Sequence, residues 1–266
     1  ASKEWFRGRI REVTRDEVTK MWTLRLMDNS VLLYDRIWRG RRDFPAVPAG
    51  VIMDELNSSN EGEPKNGQVL YWDMETLVDT QIRDLSGNAN HGTITGAASI
   101  TGKWGLARDF LVSTDQVAAI DSVSLSLTGN VTMAAWYQTA SINDNFRFAV
   151  VDKLSGLSGY RMYVTPKDTG ASNAFSITLT AGDGAATQSL TFGTLFTTVA
   201  GTWYHVAIVF DNTNDTAQAF FNGVATGSPT AFTRALADNA ADLITGGAAG
   251  GTFQSSKCDE VMVYNR

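Results

Sequence analysis

One stretch limits the folds open to this chain more than any other: Thr202-Trp203-Tyr204-His205-Val206-Ala207-Ile208-Val209-Phe210-Asp211. It is the longest unbroken apolar run rich in β-branched and aromatic side chains, with Gly201 before it and Asp211-Asn212-Thr213-Asn214-Asp215 after it. An apolar run between turn residues predicts a strand buried on both faces. Trp203, His205, Ala207 and Val209 then point one way, and Tyr204, Val206, Ile208 and Phe210 the other. A second strand is predicted at Ala217-Gln218-Ala219-Phe220-Phe221, followed by Asn222-Gly223. Both of those residues tolerate positive φ, so the pair predicts a tight hairpin.

The stretches around this hairpin repeat the pattern. Residues 69–75, 104–110, 116–120, 131–138, 146–153, 160–165, 175–180, 189–192, 243–247 and 258–264 are strand candidates, set off by Gly, Asn, Asp or Pro. No window of ten or more residues keeps a helical period. With 24 glycines, 5 prolines and 19% charged residues, the chain suits many short strands joined by tight turns. The prediction is an all-β fold, an antiparallel sandwich.

Charge divides the chain. Residues 1–42 hold 11 Lys/Arg and 6 Asp/Glu, a net of +5, against 11 and 22 in the remainder, a net of −11. The basic head shows three strand patterns, in 5–13, 21–27 and 31–34, and predicts a β-meander too small to stand alone. It would lean on the body or on other protein subunits. Residues 43–68, with Phe44-Pro45-Ala46-Val47-Pro48 and a polar turn-rich tract, read as a linker, and 69–266 as the body. The basic residues lack an interleaved aromatic platform or a nucleic-acid motif, so no nucleic-acid partner is expected. No window resembles a membrane span and no secretory leader pattern opens the chain. The single cysteine, Cys258, forms no intrachain disulfide and reads as a small buried hydrophobe.

Seven pieces in order resemble the laminin-G-like, concanavalin A-like jelly-roll family over about 69–266. They are Trp72-Asp73-Met74-Glu75, Asp84-Leu85-Ser86-Gly87-Asn88-Ala89-Asn90-His91-Gly92, Gly105-Leu106-Ala107-Arg108-Asp109-Phe110, Val131-Thr132-Met133-Ala134-Ala135-Trp136, Trp203-Tyr204-His205-Val206-Ala207, Phe220-Phe221-Asn222-Gly223 and Asp259-Glu260-Val261-Met262-Val263-Tyr264-Asn265-Arg266. The resemblance implies a jelly-roll β-sandwich whose first and last strands pair. It departs at Ser256-Lys257-Cys258, where a glycine is usual before the closing Asp-Glu. Gly8-Arg9-Ile10 and Leu24-Arg25-Leu26-Met27-Asp28 resemble meanders of tailed-phage tail and baseplate proteins.

Four residues form the candidate metal set: Asp84, Asn88, Asp259 and Glu260. Ca²⁺ takes hard oxygen ligands, the loop 84–92 supplies a carboxylate and amides, and strand pairing would bring the closing acids beside it. The family resemblance implies a structural Ca²⁺. The competing roles are an Asx-turn for Asp84 and capping of strand-end N–H groups for Asp259. Trp136, with Gln138 on its strand face, and Asn143 and Asp144 in the loop 141–145 are the candidate carbohydrate-binding residues. A pyranose needs an aromatic platform and polar groups for its hydroxyls; the competing role of Trp136 is core. The loop 180–184 is a further candidate. Asp73 and Glu75 share one strand face, but the Glu-x-Asp-x-Glu array of related glucanases is broken by Tyr71. His205 reads as a core residue and His91 as a backbone-bonded turn residue; two isolated histidines do not make a zinc site.

These readings predict a non-catalytic binding module on a virion (phage tail or decoration) or other extracellular assembly, presenting its body to a surface glycan. The alternatives are a purely structural assembly protein and a glycoside hydrolase.

Overall fold

A computed structural model describes residues 10–15, 22–26, 67–139, 146–168, 173–193, 199–247 and 253–266 of the chain. Two compact units divide it, Ala1–Glu63 and Pro64–Arg266. In the first unit, Ile10–Arg15 pairs antiparallel with Trp22–Leu26, with a register shift between Ile10 and Glu12. The strand pattern at 31–34 and the linker up to residue 66 lie outside the described residues.

Among its described residues, the second unit is built from two nine-stranded antiparallel sheets. The first sheet runs, in spatial order, Val224–Ala225, Thr216–Phe221, Tyr204–Asp211, Val131–Thr139, Ser256–Tyr264, Leu106–Phe110 and Ala98–Thr101, and Gln68–Trp72 also pairs with the closing strand. The second contains Phe148–Ser155, Ser158–Asp168, Asn173–Asp183 and Thr187–Gly193 on one side of Leu243–Gly246, and Gln116–Ala119 and Gly92–Thr95 on the other. Among the described residues the only helix is the 3₁₀ turn Val123–Leu125. This is the expected jelly-roll sandwich.

The run at 202–211 forms the strand Tyr204–Asp211, whose Tyr204, Val206, Ile208 and Phe210 are buried in the core. Its other face is not fully buried: His205 and Val209 are half-exposed. A two-layer sandwich buries one face of each sheet, so the expected burial on both faces fails on the outer side. The hairpin after it forms as expected, with Asn222 at φ 48° and Gly223 at φ 80° between Phe221 and Val224.

Trp72 anchors the core, fully buried, with its indole N–H donating to the Asn90 carbonyl at 2.9 Å. A Cβ at Gly92 would stand 3.0 Å from that ring and 2.4 Å from Val117 Cγ1, so only glycine fits beneath it. Cys258 is buried and free, and burial pushes its thiol far up.

A bulge in the closing strand decides the outer face. Ala134 faces Met262, but Trp136 faces Asp259, so one extra residue stands on the closing strand. Glu260, at φ 53°, absorbs it. The buried positions accordingly change from Ser256 and Cys258 to Val261 and Val263. Asp259, cross-strand from the half-exposed Trp136, therefore belongs to the outer face of the first sheet.

Candidate functional site

The site is built on the tip of the hairpin that joins Ala98–Thr101 to Leu106–Phe110. The Gly102 N–H donates to the Gly105 carbonyl at 3.0 Å, and Gly105 takes φ 57°. Two carboxylates pin this tip to the sheet. Asp259 Oδ2 accepts the backbone N–H of Lys103 at 2.8 Å and of Trp104 at 3.1 Å. Glu75 Oε2 accepts the N–H of Leu106 at 2.9 Å. A Cβ on Gly102 would lie 2.6 Å from Asp259 Oδ2, and one on Gly105 would overlap the Glu75 carboxylate.

Held there, Lys103 extends over the sheet. Its Nζ lies 4.6 Å from the Trp136 ring centroid and 5.7 Å from that of Trp104. Trp136 also meets His205 edge-on at 5.4 Å between centroids. Burial holds the His205 imidazolium below its ordinary range, which favours the neutral ring against the indole. Among the described residues no carboxylate pairs with the Lys103 ammonium. Trp104 is 49% exposed. The face thus displays one free indole, one half-buried indole and a cation between them, on a tip whose backbone is fixed.

Asp259 is fully buried, and among the described residues its Oδ1 has no hydrogen-bond partner. Desolvation, with the nearby Glu75 charge adding to it, pushes this carboxyl up to about 6 against the pull of the tip N–H groups. The folded chain therefore holds this proton more tightly than the unfolded chain does. Between about pH 4 and 6 stability falls as pH rises, and above that window the cost of the buried charge is complete. We expect Asp259→Asn, which keeps an oxygen acceptor for both N–H groups, to remove that slope from the midpoint of urea unfolding measured from pH 4 to 7. An unchanged slope would reject this assignment.

The candidate metal residues are each engaged by other groups of the protein. Asp84 Oδ1 accepts the N–H of Tyr71 and of Ser86, both at 2.9 Å. Its Oδ2 accepts Ser86 Oγ at 2.8 Å and the Asn90 N–H at 2.9 Å. Asn88 Nδ2 donates to the Gln68 carbonyl at 3.1 Å. Glu260 Oε2 accepts the Tyr71 hydroxyl at 2.6 Å, and Asp259 holds the tip. Among the described residues no group of three or more His, Cys, Asp or Glu is arranged to hold a metal. The Asp84 oxygens are filled by the positive ends of N–H and O–H dipoles, so this set does not fit a shared Ca²⁺.

Other sequence candidates are also accounted for. Gln138 is buried and donates to the Gly201 carbonyl at 2.8 Å, so it bonds to the protein itself. Asn143 and Asp144 lie outside the described residues. Asp73 and Glu75 do not share a strand face, because the strand ends at Trp72 and Met74 turns to φ 62°. Asp73 closes a turn by accepting the Thr76 N–H at 2.8 Å. His205 is not a core residue but part of the outer face. His91 Nδ1 accepts the Asp84 N–H at 3.0 Å. The stretch 180–184 is not an open loop: residues up to Asp183 belong to the strand Asn173–Asp183, and Asp183 pairs with Arg234 at 2.6 Å. Trp104 does not begin a strand, which starts at Leu106, but stands with Lys103 on the turn, for which the flanking Gly102 and Gly105 are the signal in the sequence.

A family model described as the concanavalin A-like lectin/glucanases superfamily matches residues 112–266. No curated protein matches the chain in sequence. Similar solved structures include the binding domain of Paraclostridial Mosquitocidal Protein 1, at TM-score 0.60 and 16% identity over 76% of this chain and 49% of that one. Domain 4 of AbnA, a GH43 extracellular arabinanase from Geobacillus stearothermophilus solved with arabinotriose, aligns at TM-score 0.54 and 18% identity over 74% of this chain and 92% of that one. The botulinum neurotoxin serotype D ligand-binding domain in complex with N-acetylneuraminic acid aligns at TM-score 0.56 and 12% identity over 76% and 48%. The chain spans about half the length of the two toxin domains. At these identities the likeness is one of fold.

Proposed function

Because the chain belongs to the concanavalin A-like lectin/glucanase superfamily, we propose that its body is a non-catalytic carbohydrate-binding module whose contact face is the Lys103–Trp104–Trp136 cluster. The observation that carries the reading is the exposed Trp104 indole beside a cation that has no carboxylate partner among the described residues, on a tip pinned by Asp259 and Glu75. An indole face suits the C–H side of a pyranose, and a fixed backbone limits the ordering cost of binding. Lys103 already covers part of Trp136, so Trp104 supplies the stacking surface and Lys103 the polar contact. Two of the solved neighbours are complexes with sugars, which supports the ligand class. Asp73 and Glu75 are engaged by backbone N–H groups, which speaks against a hydrolytic carboxylate pair. The basic head, net +5 against −11 for the rest, supports anchoring to other subunits of an extracellular or virion assembly.

A glycan array probed with the 266-residue chain tests this. Trp104→Ala should weaken the best ligand at least about tenfold, roughly 1.4 kcal/mol, with the melting temperature unchanged. Full retention of binding in that variant, or no binding of any glycan by the parent chain, would reject the proposal.

A further inference from the structure

A second cleft lies away from the tryptophan face. Its volume is about 530 Å³, and it opens between the start of Gln68–Trp72, the loop 123–130 and Asn265. Among the described residues no charged side chain lines it, although the chain beyond residue 42 carries a net of −11.

Its walls are fixed from behind. Asn90 ties the loops together, accepting from Ser122 Oγ at 2.7 Å and donating to Ser124 Oγ at 2.8 Å. Asn88 Nδ2 is held by the carbonyls of Gln68 and Val69, at 3.1 and 3.4 Å, and by Ser86 Oγ at 3.0 Å. The planar amide therefore leaves its Oδ1 turned away from those partners. Asn130 Oδ1 accepts the Asn212 N–H at 2.9 Å, which leaves its two Nδ2 protons on the other side. Asn265 is positioned by its backbone, whose N–H donates to the Gly67 carbonyl at 2.7 Å. Thr128 adds a hydroxyl, and Val123, 92% exposed, adds an apolar edge.

We infer that this cleft is a second binding subsite, for a neutral polyhydroxylated ligand such as an uncharged sugar ring, with Asn88, Thr128, Asn130 and Asn265 contacting hydroxyls and Val123 contacting the C–H face. The reason is the match of chemistry. Among the described lining residues an ion of either sign would meet no charged side chain to replace the water it sheds. A purely apolar ligand would strip water from amides and a hydroxyl that would find no replacement partner. Vicinal hydroxyls, each donor and acceptor, satisfy amides presented in both orientations. The inference rests on the proposed function only for the class of ligand, since the two sites share no residue.

The test is side-chain amide NMR on the full chain. Methyl glycosides of glucose, galactose, arabinose and N-acetylglucosamine are added one at a time, with N-acetylneuraminic acid and glycerol as controls. At least one neutral glycoside should shift the amide signals of Asn88, Asn130 and Asn265 with a Kd on the order of 1 mM. Thr128→Arg, on the cleft rim, should weaken that response at least about tenfold. Trp104→Ala should leave it unchanged, so the two sites can fail independently. If those amides respond to no glycoside, respond equally to glycerol or the acidic sugar, or keep their response in Thr128→Arg, the inference is overturned.

Discussion

Replacing Lys153 with alanine should lower the stability of the body by about 3 kcal/mol. Lys153 is only 1% exposed, yet its ammonium is satisfied: Nζ meets Asp121 Oδ1 at 2.5 Å and donates to the carbonyls of Ala241 at 2.8 Å and Asn239 at 3.0 Å. The same neighbourhood closes from the other side, where Asn239 Nδ2 donates to the carbonyls of Lys153 and Ser158, both at 2.9 Å. Deleting the ammonium removes the donor for two carbonyls and leaves a void along the buried stem. The segment 239–241, which leads into Leu243–Gly246, loses its clamp to Phe148–Ser155. Asp121 keeps 31% exposure and can be rehydrated. Asp121→Asn keeps an oxygen acceptor for the ammonium and leaves both carbonyl bonds in place, so it should cost less than half as much as Lys153→Ala. Urea unfolding of both variants measures this, and equal losses would show that the charge pair matters rather than the carbonyl clamp.

Asp84→Ala is expected to cost about 4 kcal/mol, because one buried carboxylate accepts four hydrogen bonds and hydrogen bonds to charged groups are worth more than neutral ones. The N–H groups of Tyr71, Ser86 and Asn90 would be left behind in a loop whose Asp84 and Ser86 are 4% and 6% exposed. Asp84→Asn should recover less than half of that loss, since its NH₂ group can accept from none of them. Neither Ca²⁺ nor a chelator should move the thermal midpoint of the parent chain. A rise of several degrees with Ca²⁺ would reveal a cation at this carboxylate and reverse the assignment.

Both effects sit on residues whose type was legible in sequence and whose role was not. Asp84 was visible as a turn carboxylate, with an Asx-turn as one of two open roles. Choosing between turn and metal requires knowing which N–H groups face its oxygens, and Tyr71, 13 positions earlier, supplies one of them. Lys153 was visible only as the polar end of a strand pattern. Its three acceptors lie 32, 86 and 88 positions away. No local period encodes separations of that size.

What the amino-acid sequence determined by itself is the content that repeats over two residues or closes within four. The alternation of Tyr204, Val206, Ile208 and Phe210 selected the core face of a strand, and Asn222-Gly223 selected a turn that only residues tolerant of positive φ adopt. These choices are local because sterics and side-chain direction act between near neighbours. Tertiary structure alone decided the outer face. One residue inserted at Glu260 changes the inward-facing positions of the closing strand and leaves Asp259 opposite Trp136, where it captures the tip that carries Lys103 and Trp104. The amide-lined cleft likewise joins Gln68, Asn88, Asn130 and Asn265 from four separate parts of the chain. The physical reason is that burial in a sandwich sets only which side a residue faces. Which residues become neighbours depends on strand order and register, and those are set by pairings between distant segments.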